Sequence, residues 1–136
     1  MSDTGEPALR AVAIIPESQL STNERYRFSA AIRSGDVLRC SGQIGNAADG
    51  SLATDPAAQF EQAFANVAEV LAEAGGSWAD VVEMTTFHVG LAEHLAAFAG
   101  VRAKWVQEPY PAWTAIGVAE LAAPTALVEV KVVAVL

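Results

Sequence analysis

The chain has 136 residues, of which 52 % are hydrophobic and 18 % are charged, and its net charge is −8. This length is typical of one domain with a substantial core, so we predict a single domain over residues 1–136. The excess of carboxylates argues against nucleic-acid binding, which depends on clustered cations. The one loose basic group comprises Arg25, Arg27, Arg33 and Arg39. We interpret it as solvated strand residues or a local anion contact.

Three features set the expected compartment. No apolar segment approaches the ~20 residues that a membrane span requires. The N-terminal sequence MSDTGEPALR lacks the apolar region of a secretory signal. Cys40 is the only cysteine, so no intrachain disulfide can form. We therefore predict a cytoplasmic protein.

The first third of the chain contains three short strand candidates. ALRAVAIIP (8–16) ends at a proline, and RYRFSAAI (25–32) and VLRCSGQI (37–44) flank RSGD, a good tight-turn sequence. The clearest helix follows over TDPAAQFEQAFANVAEVLAEAGG (54–76), with Asp55 as the N-cap candidate. Its apolar residues recur at helical spacing on one face, which is typical of a helix that covers a sheet.

The second half alternates strands and a helix. VVEMTTFHV (81–89) predicts a strand and LAEHLAAFAGVRAKWV (91–106) predicts a second helix. PAWTAIGVAEL (111–121) and ALVEVKVVAVL (126–136) predict two closing strands, expected to form a hairpin around Pro124. This order predicts an α+β fold with two helices packed on one face of the sheet. Because both faces of the last strand are largely apolar, we expect the other face to meet a second subunit.

Few residues carry chemistry. His88 and His94 lack the spacing of a zinc site, and Cys40 has no partner cysteine, so we predict no metal site. Glu129 lies within the apolar last strand, where a carboxylate must be paired with a cation, such as Lys131 or an arginine of another chain, or line a wet cleft. The sequence leaves open whether Glu129 forms a salt bridge or has a functional role.

Several segments together resemble the RidA/YjgF family, also called the RutC family. They are SAAIRSGDVLRCSGQIG (29–45), WADVVEMTTFHV (78–89), PYPAWTAIGV (109–118) and LVEVKVVAVL (127–136). Within the family the sequence is most similar to the YjgH-like branch. The resemblance implies a chorismate-mutase-like fold and a homotrimer with small-molecule pockets at the subunit interfaces. It also implies cofactor-free hydrolysis of reactive imine and enamine acids to 2-oxo acids and ammonia.

The family's pocket residues match this sequence only in part. The resemblance implies that Glu129 positions the attacking water. The ligand-binding positions are held by Phe28 (with Tyr26 as the alternative for the family's tyrosine), Ser41, Gly42, Trp113 and Ala115. Trp113 stands where the family has the arginine that grips the substrate carboxylate, and Ala115 stands where it has a cysteine. The loss of such a charge-assisted contact costs about 3 kcal/mol or more, on the order of a hundredfold in affinity.

The indole of Trp113, which lies between two prolines and a run of small residues, is either core filler or the wall of that pocket. Three functions follow from these residues. The first is a hydrolase or deaminase acting on an imine-like or enamine-like substrate other than a standard 2-imino acid. The second is a non-catalytic trimer that binds a small ligand or acts like a chaperone. The third, ribonuclease activity, is disfavoured by the net charge of −8.

Overall fold

A six-stranded mixed β-sheet forms the centre of the protein in the computed structural model, which describes residues 10–136. The strand order is β1-β2-β3-β6-β4-β5. The strands are β1 Val12–Ile14, β2 Ala31–Ser34, β3 Val37–Cys40, β4 Val81–His88, β5 Ala112–Gly117 and β6 Val128–Val135. The helices are α1 Leu20–Tyr26, α2 Pro56–Glu73 and α3 Leu91–Arg102. The predicted α+β class is confirmed, with a third, short helix added to the two that were predicted.

Helix α2 begins and ends where local sequence signals predict. The Asp55 carboxylate accepts a hydrogen bond from the Ala58 amide at 3.0 Å, and Pro56 occupies the first turn, where no amide proton is needed. The helix ends before Gly75, whose φ of +83° suits glycine. Its apolar face, which includes Phe60 and Phe64, is fully buried against the sheet.

The strand prediction for residues 25–32 is wrong in its first half, because Tyr26 belongs to α1. The helix ends at Arg27, which adopts a left-handed conformation with φ of 60° and donates its amide proton to the Asn23 carbonyl. The Asn23 side chain also binds the Phe28 carbonyl at 3.0 Å. These local bonds outcompete an extended chain. Of the predicted strand over 8–16, the structure shows β1, while residues 8 and 9 lie outside the described range.

The predicted closing hairpin is also wrong. Strand β4 lies between β5 and β6. It pairs with β5 in parallel and with β6 in antiparallel orientation. The reason is that α3 forms the crossover that parallel neighbours such as β4 and β5 require. Residues 118–127 then carry the chain back across the sheet to β6.

The two sheet faces differ sharply. On β6 the side chains of Val128, Val130 and Val132 are buried beneath α2 and α3, whereas Glu129, Lys131, Val133 and Val135 alternate onto the other face. On that second face Glu129 and Val133 are partly buried, and Lys131 and Val135 are exposed. No helix in this range is both long and apolar enough to cross a membrane.

Candidate functional site

The carboxylate of Glu129 lies against the backbone of Gly42. Strand β3 ends at Cys40, and the chain pairs again with β6 at Gln43, whose amide and carbonyl bind Val130 at 2.8 and 2.9 Å. This second pairing brings Gly42 beside the Glu129 side chain. A β-carbon at position 42 would collide with the Glu129 carboxylate. Glycine is therefore required here for the carboxylate to keep its position.

A cavity of about 920 Å³ opens at this carboxylate. Glu129, Gly42 and Phe28 line one side, and α1 and α2 contribute Tyr26, Asn66 and Glu69. Phe28 and Tyr26 both line it, so the structure offers each of them for the family's tyrosine position. The structure thus brings together three of the predicted site residues, namely Glu129, Gly42 and Phe28.

A network of side-chain amides holds one wall of the cavity. Gln43 is buried and accepts a hydrogen bond from the Gln19 side chain at 2.9 Å. Asn66 on α2 donates to the carbonyls of Ile44 and Asn46, both at 2.9 Å. These bonds tie the loop after β3 to α1 and α2. The amide groups therefore preorganise this wall.

The charge of the cavity is negative. Its lining includes two carboxylates, Glu69 and Glu129, and no lysine, arginine or histidine from the described part of the chain. Glu129 forms no ion pair within residues 10–136. Of the alternatives left open for Glu129, the pairing with Lys131 is absent inside the protomer, and the side chain lines the cavity.

Ser41 is close by but is used elsewhere. Its hydroxyl donates to the Ser29 carbonyl at 2.7 Å, and its amide donates to the Ala30 carbonyl at 2.8 Å. Ser41 is not among the residues that line the cavity. Within one protomer it secures the end of β3, and its hydroxyl stays occupied by the backbone.

Trp113 and Ala115 lie on the opposite side of the sheet from Glu129. The parallel register pairs Trp113 with Met84 and Ala115 with Thr86, both of which face the helices. The Trp113 indole donates to the Thr86 hydroxyl at 3.0 Å. The ring lies 6.0 Å from the ring of Phe98.

The indole is therefore half-buried core filler beneath α3. In a single protomer neither Trp113 nor Ala115 lines the cavity at Glu129, and their placement in a pocket between subunits stays a prediction. The guanidinium of Arg102 stacks on the indole at 4.1 Å from the ring centroid. Burial lowers the pKa of Arg102, and its Nε donates to the Met84 sulfur at 3.4 Å.

Two other side chains of reactive type, His88 and Cys40, are buried and do not line the cavity. The His88 Nε2 atom lies 2.7 Å from the Thr86 hydroxyl, and its Nδ1 atom is buried without a partner among the described residues. Burial, with a smaller contribution from His94, lowers the pKa of His88 and favours the neutral ring. Burial raises the pKa of the Cys40 thiol to about 12, so the thiol is protonated and unreactive near neutral pH.

The polar wall of α2 was missed by sequence reasoning. Gln62, Asn66 and Glu69 line the cavity, and their spacing of four and three residues places them on one helical face. A polar stripe on a helix is commonly a solvated surface, so the stripe alone carries no functional signal. The stripe can be recognised as a cavity wall only once it is known to lie beside the residues that follow the SGQ sequence.

The fold is that of an α+β protein with a cavity beside one edge region of a mixed sheet. The family model described as Endoribonuclease L-PSP matches residues 18–136. The chain belongs to this family, which is the RidA/YjgF/RutC family that the motifs resemble.

Two relatives and one solved structure illustrate the relationship. The RutC family protein YjgH of Escherichia coli K12 is 38 % identical over 123 residues, which are 90 % of this chain and 92 % of that one. A 2-iminobutanoate/2-iminopropanoate deaminase of Dermatophagoides farinae is 32 % identical over 111 residues, 80 % of this chain and 85 % of that one. The solved structure of a protein YJGH has a TM-score of 0.84 at 37 % identity, covering 93 % of this chain and 96 % of that chain.

Proposed function

We propose that this protein is a cofactor-free hydrolase of the imine and enamine deaminase class, with Glu129 as its acid–base residue. The observation that carries the proposal is the Glu129 carboxylate, held against Gly42 and facing the cavity without an ion-pair partner in the described chain. The relative named as a 2-iminobutanoate/2-iminopropanoate deaminase supports the reaction class.

The chemistry needs only water and a carboxylate. Glu129 accepts a proton from a water molecule as the water oxygen attacks the carbon of the protonated imine, which gives a neutral carbinolamine. The carboxylic acid then returns that proton to the nitrogen. As the C–N bond breaks, the carboxylate takes the proton of the hydroxyl group, so that a carbonyl compound and ammonia are released, and this last proton leaves with the ammonia as ammonium. The Gln43 and Asn66 amide wall fixes the backbone around this position.

A standard 2-imino acid is not the substrate in this proposal. The family's arginine position holds Trp113, whose indole turns away to Thr86, and the cavity lining includes no cation from residues 10–136. A substrate carboxylate would meet Glu69 and Glu129 without a counter-charge. The same two carboxylates disfavour an RNA phosphate backbone, so we do not propose ribonuclease activity despite the family's name.

We further propose a homotrimer in which a second subunit covers the sheet face that carries Glu129. Exposed apolar side chains on that face, such as Val135 at 44 % and Ile116 at 39 %, favour burial against another copy. Light scattering after gel filtration should give three times the protomer mass of 14.2 kDa. A monomer at micromolar concentration would contradict the assembly.

The reaction class is tested by supplying imines made in place by oxidases. An amine oxidase acting on benzylamine supplies an imine without a carboxylate group, and an amino-acid oxidase acting on alanine supplies 2-iminopropanoate. Semicarbazide traps the unhydrolysed imine, so a hydrolase slows semicarbazone formation. We expect the protein to accelerate hydrolysis of the benzylamine-derived imine and to act weakly on 2-iminopropanoate. Rapid hydrolysis of 2-iminopropanoate alone would overturn the proposed specificity.

If neither imine is hydrolysed faster but one of them or its amine still binds, the non-catalytic binder is the correct function. The cavity volume of about 920 Å³ is ample for that role. Binding without turnover would therefore remove the enzyme proposal and leave the ligand site intact.

A further inference from the structure

Two aromatic rings stand exposed at the cavity. Tyr26 and Phe28 are 62 % and 44 % exposed, although both line a concave site. They flank Arg27, whose left-handed turn ends α1. Large rings left open in a cavity are typical of a surface that contacts a planar ligand.

The charges around these rings select a cation. Glu69 is held at the wall because its Oε1 atom accepts a hydrogen bond from the Ser18 hydroxyl at 3.0 Å. Together with Glu129 it gives the lining two carboxylates, and the lining includes no lysine, arginine or histidine of the described chain. The face of an aromatic ring also attracts a cation. The Tyr26 ring already carries one, since the Arg25 guanidinium lies 5.3 Å from its centroid.

The size of the cavity points to a ligand larger than a short imino acid. A volume of about 920 Å³ is near the upper end of small-molecule sites. Polar, uncharged groups such as Asn66 and Thr22 complete the wall. A ring-bearing molecule fills this space, whereas a three- or four-carbon imino acid occupies a small part of it.

We infer that the cavity between α1 and α2 is a subsite for a planar organic cation, such as an arylmethyl ammonium or iminium ion. In this subsite Tyr26 and Phe28 contact the ring, and Glu69 and Glu129 face the positive charge. The inference rests on the proposed function for its choice of an imine-derived ligand. Binding of the cation is nevertheless measured without any turnover.

The test compares three ligands of one shape by isothermal titration of the full-length protein at low salt. They are benzylamine, which is a cation, benzyl alcohol, which is neutral, and benzoate, which is an anion. We expect benzylamine to bind about tenfold more tightly than benzyl alcohol, and benzoate to bind more weakly than either. Equal affinities for the three ligands, or no benzylamine binding at millimolar concentration, would overturn the inference.

Two variants locate the subsite. Glu69→Gln should weaken benzylamine binding at least about threefold and leave benzyl alcohol unaffected. The matched control is Glu73→Gln, which makes the same charge change on the exposed surface of α2 outside the cavity and should change neither affinity. An equal loss in both variants would show a general charge effect and refute the subsite.

The outcomes also separate this inference from the proposed function. A preference for benzylamine that depends on Glu69, without imine hydrolysis, supports the cation subsite and removes the enzyme. Hydrolysis that depends on Glu129, with no preference among the three ligands, supports the enzyme and removes the subsite.

Discussion

The carboxylate of Glu129 occupies the space that a side chain at Gly42 would fill. Gly42→Ala should therefore push the carboxylate out of place while the fold persists, because the rest of the cavity wall is held by independent hydrogen bonds. A displacement of about 1 Å can cost on the order of a hundredfold in rate. We expect a loss of that size in imine hydrolysis, measured by the semicarbazone assay.

The control for this variant is Gly100→Ala on α3, where no atom lies within 4 Å of the added β-carbon. It should leave hydrolysis unchanged and increase the free energy of unfolding by up to about 1 kcal/mol. Unchanged hydrolysis in Gly42→Ala would show that the position of the carboxylate does not matter.

Substitutions of Trp113 are expected to lower the free energy of unfolding. Trp113→Phe removes the hydrogen bond to Thr86 and keeps a ring under Arg102, so it should cost about 1 kcal/mol. Trp113→Arg places a second guanidinium against Arg102 and should cost about 3 kcal/mol. Urea unfolding measures both. If Trp113→Arg folds with wild-type stability and gains hydrolysis of 2-iminopropanoate, the position serves the pocket, and our placement of the indole is wrong.

His88 should make stability depend on pH. Burial lowers its pKa below the ordinary value of 6.5, so the unfolded chain binds a proton first as the pH falls. The free energy of unfolding should therefore be constant above about pH 7.5 and should decrease as the pH falls below 6.5. We expect His88→Gln to flatten this decrease between pH 7.5 and 5.5. His94→Gln, at a partly exposed position, should keep most of it, and a flat wild-type profile would contradict the neutral buried ring.

Gln59 is expected to hold the entry to β6 in place. Its buried side chain donates to the carbonyls of Ala53 and Thr125, both at 3.1 Å, and accepts from the Leu127 amide at 2.6 Å. Gln59→Leu leaves these groups buried without partners and should cost about 3 kcal/mol in urea unfolding. The same change at the exposed Gln107 should cost little. Equal effects at the two positions would contradict this role.

The sequence predicts best what local signals determine. The Asp55 cap, Pro56 and the apolar spacing of α2 all act within one helix, and the structure agrees with them. The prediction of a closing hairpin was wrong because the order of β4, β5 and β6 depends on contacts between segments that are distant in sequence. Helix α1 was missed because RYRFSAAI contains strand-forming residues. The bond from the Asn23 side chain to the Phe28 carbonyl, which holds the end of the helix, is not visible as a pattern in the sequence.

The same division applies to the site. Alternation along the last strand predicts that Glu129 shares a face with Val133 and Val135, which is correct. The side on which Trp113 lies could not be predicted, because it depends on the parallel register of β5 against Met84 in β4. Contact between the polar stripe of α2 and the loop after Ser41 likewise requires the tertiary fold.

A carboxyl group on the last strand, kept near the backbone by a residue without a side chain, is the reactive centre of this account. The most direct test is the hydrolysis rate of the benzylamine-derived imine with wild-type protein and with Glu129→Gln at equal concentration. We predict that the variant keeps its assembly and thermal stability but loses at least about a hundredfold in rate. A variant that hydrolyses this imine as fast as the wild type would contradict the account.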